Sequence, residues 1–314
     1  KNQQIINTNP ISVYPVWKIR ARRKVKTRIR MINKPQSGFS IGTPEKHCFG
    51  TAIQFLSFVF ILLLPFSSSQ GIIIRHDKGD SRYQVREESY PQLFHLYTSF
   101  ENKVCMATLI NPHWAITAAH CANQTPLLKT VQEKSPYSLT INKKLYGVAE
   151  LVMHPLYDTG NELDNVDLAL IRLDQEVQGV TPVALYRRAD EVDQIVSLLG
   201  WGFTGIGTRG LQSKDGKFRR AQNRVVEAGQ WLTFLFDDPR SSGNQALALE
   251  GIPGLGDSGG PALLETESGP LLMGIALGEL EEGDSPPVQG LYGTTQIYER
   301  ISSHLEWIEQ VVTP

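Results

Sequence analysis

Short apolar runs separated by turn residues fill residues 71–314 of the 314-residue chain. These runs are rich in β-branched and aromatic residues, which is typical of β-strands. Helical periodicity occurs only near the end, where Leu305, Ile308 and Val312 form one apolar stripe behind Ser302. The pattern predicts an all-β body and a C-terminal helix over residues 302–312. The predicted strands span residues 92–97, 107–110, 115–118, 138–141, 168–173, 195–200 and 271–276.

Residues 1–70 follow a different pattern, in which a basic stretch precedes the apolar run 52–66 and three serines. A basic region, an apolar core of about 7 to 15 residues and small residues at the exit form an export signal, whereas a membrane-spanning helix needs about 20 apolar residues. We therefore predict a secretory signal, cleavage near Ser69 or Gln70, and an exported body with no stable membrane association. The alternative is an uncleaved N-terminal membrane anchor with the body outside.

Charge divides the chain at the same place. Residues 1–70 carry 11 bases and 1 acid, a net of +10, whereas residues 71–314 carry 20 bases and 31 acids, a net of -11. Binding to phosphates requires clustered lysine and arginine, so the acidic body argues against nucleic acid as a partner. The first methionine is Met31, and one hypothesis is that residues 1–30 are not translated.

Cysteine use agrees with export. Cys48 lies in the segment that we expect to be removed, which leaves Cys105 and Cys121, 16 positions apart. In an oxidising compartment these two can form a disulfide, whereas in the cytosol they would stay buried thiols. Two cysteines without a nearby CxxC or histidine cluster cannot complete a zinc site. We therefore predict no metal and no cofactor.

Three short segments carry residues with catalytic chemistry. His120 lies in TAAHC, Asp167 begins DLALIRL, and Ser258 lies among the glycines of GDSGGP. Each alone is an ordinary turn or strand-end residue. Together they are a chemical set, because a serine hydroxyl is a weak nucleophile until an imidazole removes its proton, and a carboxylate fixes the imidazole tautomer. The glycines allow the amides of Gly256 and Ser258 to converge where an oxyanion would form.

In this order, the three motifs resemble those of the chymotrypsin-like (trypsin-fold) serine proteases. The segments 105–110, 153–157 (MHPLY), 200–202 (GWG) and 297–308 resemble further motifs of that family, so the resemblance covers nearly the whole body. It implies two six-stranded antiparallel barrels, the first at about 80–180 and the second at about 190–301, with a C-terminal helix and the site in the cleft between them.

The same resemblance implies a serine endopeptidase that acts on protein or peptide substrates through an acyl-enzyme. Ser258 would be the nucleophile, His120 the base and then the acid, and Asp167 the residue that orients His120, while the amides of Gly256 and Ser258 would form the oxyanion hole. Asp164 is a nearby rival for the acid. We prefer Asp167, which directly precedes the apolar run.

The chain departs from the family pattern at its activation terminus. Family members usually begin, after proteolysis, with an Ile-Val-Gly-Gly-like terminus whose ammonium pairs with the acid before the nucleophile, which is Asp257 here. No such motif follows a lysine or arginine, and the nearest candidate is the Gly71-Ile72 step. Two hypotheses follow: signal cleavage exposes a usable terminus, or Asp257 pairs with Arg75 or another internal cation.

The substrate pocket also departs from the pattern. Matching the family's pocket positions implies that Ile252, Leu277, Gly278 and Gln296 line it, with no acid at Ile252 to bind a lysine or arginine side chain. We therefore expect an apolar or small P1 residue.

Two other functions remain as alternatives. The departures leave open a catalytically inactive homologue that acts as a binding module. The segment from Gly256 to Gly260 also fits the G-x-S-x-G pattern of α/β-hydrolase esterases, but that fold requires the acid and histidine to follow the serine.

Overall fold

A computed structural model of the chain describes residues 28–31, 71–97, 103–157, 165–213, 215–281 and 288–313. The proposed signal segment, apart from residues 28–31, and the rival acid Asp164 lie outside these ranges. The first strands in chain order are β1 (Arg28–Met31) and β2 (Ile73–Ile74).

The first barrel is an antiparallel sheet in which two meanders of three strands meet. Its strand order is β3-β4-β5-β8-β7-β6, and β3 lies beside β6, which curls the sheet towards closure. Two short helices, α1 (Ala119–Gln124) and α2 (Leu127–Gln132), follow β5. The strands are β3 (Leu93–Tyr97), β4 (Lys103–Asn111), β5 (Trp114–Thr117), β6 (Ser138–Ile141), β7 (Lys144–Met153) and β8 (Ala169–Leu173).

The second barrel is a closed ring of six antiparallel strands. Its members are β10 (Ile195–Gly200), β13 (Arg219–Ala228), β14 (Trp231–Leu235), β16 (Pro261–Leu264), β17 (Leu271–Glu281) and β18 (Thr295–Arg300). The ring runs β17-β16-β10-β13-β14-β18 and closes from β18 back to β17. The short strand β9 (Ala184–Leu185) joins β17 in parallel, and β1 pairs antiparallel with its last four residues.

A small third sheet ties the start of the body to the second barrel. Its order is β12-β11-β2-β15, built with β11 (Thr204–Ile206), β12 (Gly210–Ser213) and β15 (Gly251–Ile252). The pairing of β2 with β15 places residues 73–74 beside the chain that leads into Ser258.

Alternating side chains fill the two barrel interiors. In β13 every second residue from Arg219 to Val225 is buried, and in β6 Leu139 and Ile141 are buried while their neighbours are exposed. This period of two follows from the pleat of a strand, which points successive side chains to opposite faces. The all-β fold with two six-stranded antiparallel barrels is therefore confirmed.

The C-terminal helix is also present. Helix α3 (Leu305–Val312) begins three residues later than the sequence predicts, because a 3₁₀ turn occupies Ile301–Ser303. Its Ile308 is buried in the apolar core, and the ring of Trp307 packs at 4.6 Å against that of His154. Among the residues placed by the structure, no helix is long and apolar enough to span a membrane.

The pairing of Cys105 with Cys121 is confirmed, since the two form a disulfide that joins β4 to α1. Replacing both by alanine is expected to lower the free energy of unfolding by about 3 kcal/mol, because a loop of this size then adds entropy to the unfolded chain. Urea unfolding of the double variant, with the exposed Ser268→Ala as a control, measures this difference. An unchanged midpoint would contradict the prediction.

Candidate active site

His120 and Asp167 leave the same end of two neighbouring strands. Strands β5 and β8 pair antiparallel with Thr117 opposite Ala169. The chain after Thr117 and the chain before Ala169 therefore emerge side by side. His120 is the second residue of α1, and Asp167 lies two residues before β8.

The two residues are joined by two hydrogen bonds. The Nδ1 atom of His120 lies 2.6 Å from Oδ2 of Asp167, and the backbone N–H of His120 donates to Oδ1 at 2.7 Å. Both residues are buried. A carboxylate can only accept hydrogen bonds, so Nδ1 carries the proton and Nε2 of a neutral ring is left with a free lone pair. This arrangement can hold an imidazole ready to accept a proton.

Ser258 lies in the loop between β15 and β16, pressed against the first barrel. Its carbonyl accepts a hydrogen bond from the backbone N–H of Met106 at 2.8 Å. A Cβ on Gly259 would lie 2.3 Å from the Met106 oxygen and 2.4 Å from Oγ1 of Thr117, so only glycine permits this approach. The loop therefore reaches the strand end that carries His120.

The structure does not join Ser258 to His120 by a hydrogen bond. The Oγ atom of Ser258 is buried and has no partner in the part of the chain that the structure covers. The Nε2 atom of His120 lies 3.6 Å from Sγ of Cys121. Hydrogen bonds between nucleophile and base are often long before substrate binds.

The predicted oxyanion residues lie on a turn that requires glycine. Gly256 has a φ of +95°, a backbone conformation that side chains rarely adopt. Within the described ranges, the N–H groups of Gly256 and Ser258 donate to no other residue. Two unused donors beside Ser258 can stabilise an oxyanion.

Asp257 is fully buried, and backbone amides surround its carboxyl group. It accepts hydrogen bonds from the N–H groups of Ile72, Gly202 and Gly254 at 3.0, 2.6 and 2.9 Å. Burial raises the pKa of Asp257 to about 6, and these amide hydrogen bonds act in the opposite direction.

Arg75 is not the partner of Asp257. Its guanidinium group binds the Asp77 carboxylate at 2.7 Å and the carbonyl of Leu247 at 2.6 Å. The hypothesis of an Arg75–Asp257 pair is therefore wrong, because a nearer acid holds the cation. The sequence could not show this, since both acids lie in segments without regular periodicity.

Ile72 itself is in an unusual conformation. Its φ is +67°, in the left-handed region that β-branched residues avoid. Such a conformation costs on the order of 1–3 kcal/mol and persists only where the surroundings impose it. Here the surroundings include the hydrogen bond from Ile72 to Asp257 and a bond from the Thr204 hydroxyl to the Ile72 carbonyl.

A cavity beside the loop that carries Ser258 contains the carboxylate of Glu279, a residue that we did not expect in the pocket. Oε2 of Glu279 accepts hydrogen bonds from Nε2 of Gln296 and from the N–H of Gly290, each at 3.0 Å. The two side chains leave space for about one water molecule. The lining residues are Ile73, Leu211, Pro253, Gly254, Leu255, Glu279, Gln289 and Gln296.

Of the four predicted pocket residues, Gln296 lines this cavity and the other three do not. Ile252 and Leu277 are buried in apolar clusters, and Gly278 lies within β17 opposite Ile297. The register of β17 decides this outcome, because Glu279 pairs with Gln296 across the strands. An acid that closely follows the apolar run 271–277 is the feature of the sequence that could have identified Glu279.

The site also contains a cluster of potential metal ligands. The ligand atoms of Cys105, His120 and Cys121 lie within 4.8 Å of one another. The two sulfur atoms are bonded to each other, so they are not thiolates that could bind a metal.

Comparison with known proteins identifies the family of the chain. The sequence profile of the Trypsin family matches residues 81–308. The chain is 29% identical over 240 residues to Melanization protease 1 of Drosophila melanogaster, a match that covers 66% of this chain and 58% of that protein. It is 25% identical over 273 residues to the Venom plasminogen activator Haly-PA of Gloydius brevicauda, covering 83% of this chain and 95% of that protein.

A third relative is CLIP domain-containing serine protease B10 of Anopheles gambiae, at 28% identity over 66% of this chain and 60% of that protein. The chain thus spans about three fifths of the length of the two insect relatives. The matched residues include both barrels, the histidine, the acid and the serine. The chain therefore belongs to the trypsin family of serine proteases.

Proposed function

We propose that the chain is an active serine endopeptidase that cleaves protein or peptide substrates. The observation that carries the proposal is the buried His120–Asp167 pair, with its two hydrogen bonds, beside the loop of Ser258. A histidine without a catalytic role would need only one hydrogen bond to the acid. The two hydrogen bonds of this pair fix both the tautomer and the orientation of the His120 ring.

The chemistry follows from the positions of these groups. The Ser258 oxygen attacks the carbonyl carbon of the substrate while its proton passes to Nε2 of His120. Asp167 stabilises the resulting imidazolium, and the amides of Gly256 and Ser258 bind the oxyanion. His120 then gives the proton to the leaving amine, which leaves an acyl ester on Ser258. Water then attacks the acyl ester while His120 takes its proton. His120 returns this proton to the Ser258 oxygen, which releases the carboxylic acid and restores the enzyme.

The activation step in this proposal is a cut between Gly71 and Ile72. The Ile72 nitrogen already lies 3.0 Å from Asp257, so a free ammonium there would be a charge partner for the buried carboxylate. The cut would also relieve the backbone at Ile72, because the strain of a positive φ arises partly from the preceding carbonyl group. A terminus near these residues also agrees with the proposed export signal in residues 1–70.

For substrate selection we propose a small P1 residue. The hydrogen-bonded Glu279 and Gln296 line the cavity beside the Ser258 loop, and that cavity has space for about one water molecule. A large side chain could enter only by displacing a buried carboxylate from its two hydrogen bonds.

The alternative is a catalytically inactive homologue that acts as a binding module. Two observations favour it: Ser258 and His120 are not joined by a hydrogen bond, and the cavity beside the Ser258 loop is small. It predicts a folded, processed protein that reacts with no serine-directed probe.

Ser258→Ala is expected to lower kcat by about a million-fold and to abolish labelling by a fluorophosphonate probe, because the nucleophile is lost. Ser268→Ala, which changes an exposed serine, is the matched control and should react like the wild type. Mass spectrometry of the labelled protein identifies the modified residue. Absence of labelling in folded wild-type protein that begins at Ile72 would favour the binding module.

A cut before Ile72 is expected to change how stability depends on pH. In the uncut chain the pKa of Asp257 is raised from 3.8 to about 6, so the folded state holds this proton more tightly than the unfolded state does. That stabilisation, about 3 kcal/mol, is complete below pH 4 and is lost as the pH rises through 6. In the cut chain the ammonium group of Ile72 lowers the pKa of Asp257, so this loss of stability with rising pH should be absent.

The experiment compares cut and uncut forms of one protein in which a recognition sequence ending at Gly71 directs the cleavage. Gly71 must stay, because a Cβ there would lie 2.2 Å from the carbonyl carbon of Gly200. Thermal unfolding from pH 4 to pH 8 measures the difference, and fluorophosphonate labelling of both forms at pH 8 reports activity. Identical pH profiles would show that the Ile72 nitrogen does not control Asp257.

Glu279→Ala is expected to open the cavity and to raise cleavage after larger apolar P1 residues by at least about 10-fold relative to alanine, since each added methylene in a pocket changes selectivity by that order. Glu279→Gln keeps the size of the side chain and should leave the preference unchanged. A panel of peptides that differ at P1 measures both variants. If the P1 preference shifted equally in Glu279→Ala and Glu279→Gln, the charge of Glu279, and not the space in the cavity, would set that preference.

A further inference from the structure

A second buried carboxylate lies directly behind the His120–Asp167 pair. Glu299 is on β18 of the second barrel and is 1% exposed. Its Oε1 atom accepts a hydrogen bond from the backbone N–H of Asp167 at 2.8 Å. Asp167 belongs to the first barrel, so this bond crosses from one barrel to the other.

The other hydrogen-bonding groups around Asp167 are held within the first barrel. The Asp167 carbonyl accepts from Ala119 at 3.3 Å, and the next carbonyl, of Leu168, accepts from the N–H of His154 at 2.9 Å. The Asp167 carboxylate is taken by His120. Asp167 precedes β8, so its N–H has no hydrogen-bond partner in the β-sheet. Glu299 accepts the hydrogen bond from this N–H instead.

The second carboxylate oxygen of Glu299 also needs a partner at this buried position. A carboxylate buried near the Asp167 carboxylate would be costly if it were unpaired. Nε2 of His304 lies 3.4 Å from the Oε2 atom of Glu299, and both side chains are largely buried. His304 is in turn held by the ring of His154, whose centroid lies 5.2 Å away in an edge-to-face arrangement.

We infer that Glu299 is a positioning residue for the catalytic pair: it fixes the backbone of Asp167 to the second barrel, and His304 holds Glu299 in place. This inference rests on the proposed function, because it concerns the residues that we assign to catalysis there. The physical reason is distance. Ser258 is on the second barrel and His120 on the first, and a displacement of about 1 Å between reacting groups can cost about 100-fold in rate.

Glu299→Ala and Glu299→Gln test the inference. The glutamine carbonyl can still accept the hydrogen bond from Asp167, and its NH₂ group can donate to Nε2 of the His304 tautomer that carries its proton on Nδ1, so only the alanine variant removes the link. We expect Glu299→Ala to lower kcat by about 100-fold with KM changed less than about 3-fold, and Glu299→Gln to keep kcat within about 3-fold of the wild type.

Glu191→Gln is the matched control for folding. Glu191 is a fully buried acid that pairs with Arg300, the residue after Glu299, but it contacts none of the catalytic residues. Glu191→Gln should lower the midpoint temperature of thermal unfolding without changing kcat. Each rate is divided by the fraction of folded protein, measured by near-UV circular dichroism.

A spectroscopic readout keeps the test independent of turnover. The Nδ1 proton of His120 should give a far-downfield NMR resonance because it lies in the short bond to Asp167. We expect this resonance and slow exchange of the Asp167 amide in the wild type and in Glu299→Gln, and loss of both in Glu299→Ala. The inference is overturned if Glu299→Ala keeps both signals and full kcat, or if Glu299→Gln loses them to the same extent.

An inactive wild type would count against the proposed function alone. In that case the two NMR signals still decide whether Glu299 positions Asp167.

Discussion

The geometry of the site depends on backbone hydrogen bonds where the two barrels meet. The N–H of Met106 in the first barrel donates to the carbonyl of Ser258 in the second, and the N–H of Asp167 donates to Glu299. Each barrel closes on its own strands, so nothing inside one barrel fixes its distance from the other. These buried bonds help to fix that distance, because each leaves an unsatisfied polar group if the barrels separate, and an apolar cluster that includes residues of both barrels acts in the same direction.

Burial of charge is the second constraint on the site. Asp167, Asp257 and Glu299 are all 1% exposed or less, and each is held in a different way. Asp167 is bonded to a histidine, Glu299 lies beside a histidine, and Asp257 is surrounded by backbone amides. Burial raises the pKa of Asp257 to about 6, and the hydrogen bonds from the amides offset only part of this rise.

Close backbone approach is the third constraint. Gly259 lies against Met106 and Thr117, and Gly256 adopts a positive φ, so the Ser258 loop can bend only where side chains are absent. The cavity beside this loop shows the opposite condition, since Glu279 and Gln296 extend into it and bond to each other. The fold therefore keeps the loop of Ser258 tight and the adjoining cavity narrow.

The amino-acid sequence alone predicts the fold class, the Cys105–Cys121 disulfide and the three segments that carry His120, Asp167 and Ser258. Alternating apolar residues and motifs are local patterns, and a chain retains them without any tertiary contact. Three contacts are visible only in the folded chain: Ile72 lies against Asp257, Glu279 meets Gln296, and Glu299 binds Asp167. The residues of these pairs are 185, 17 and 132 positions apart. Which atoms meet depends on strand register and barrel closure, and no single stretch of sequence carries a local pattern for either.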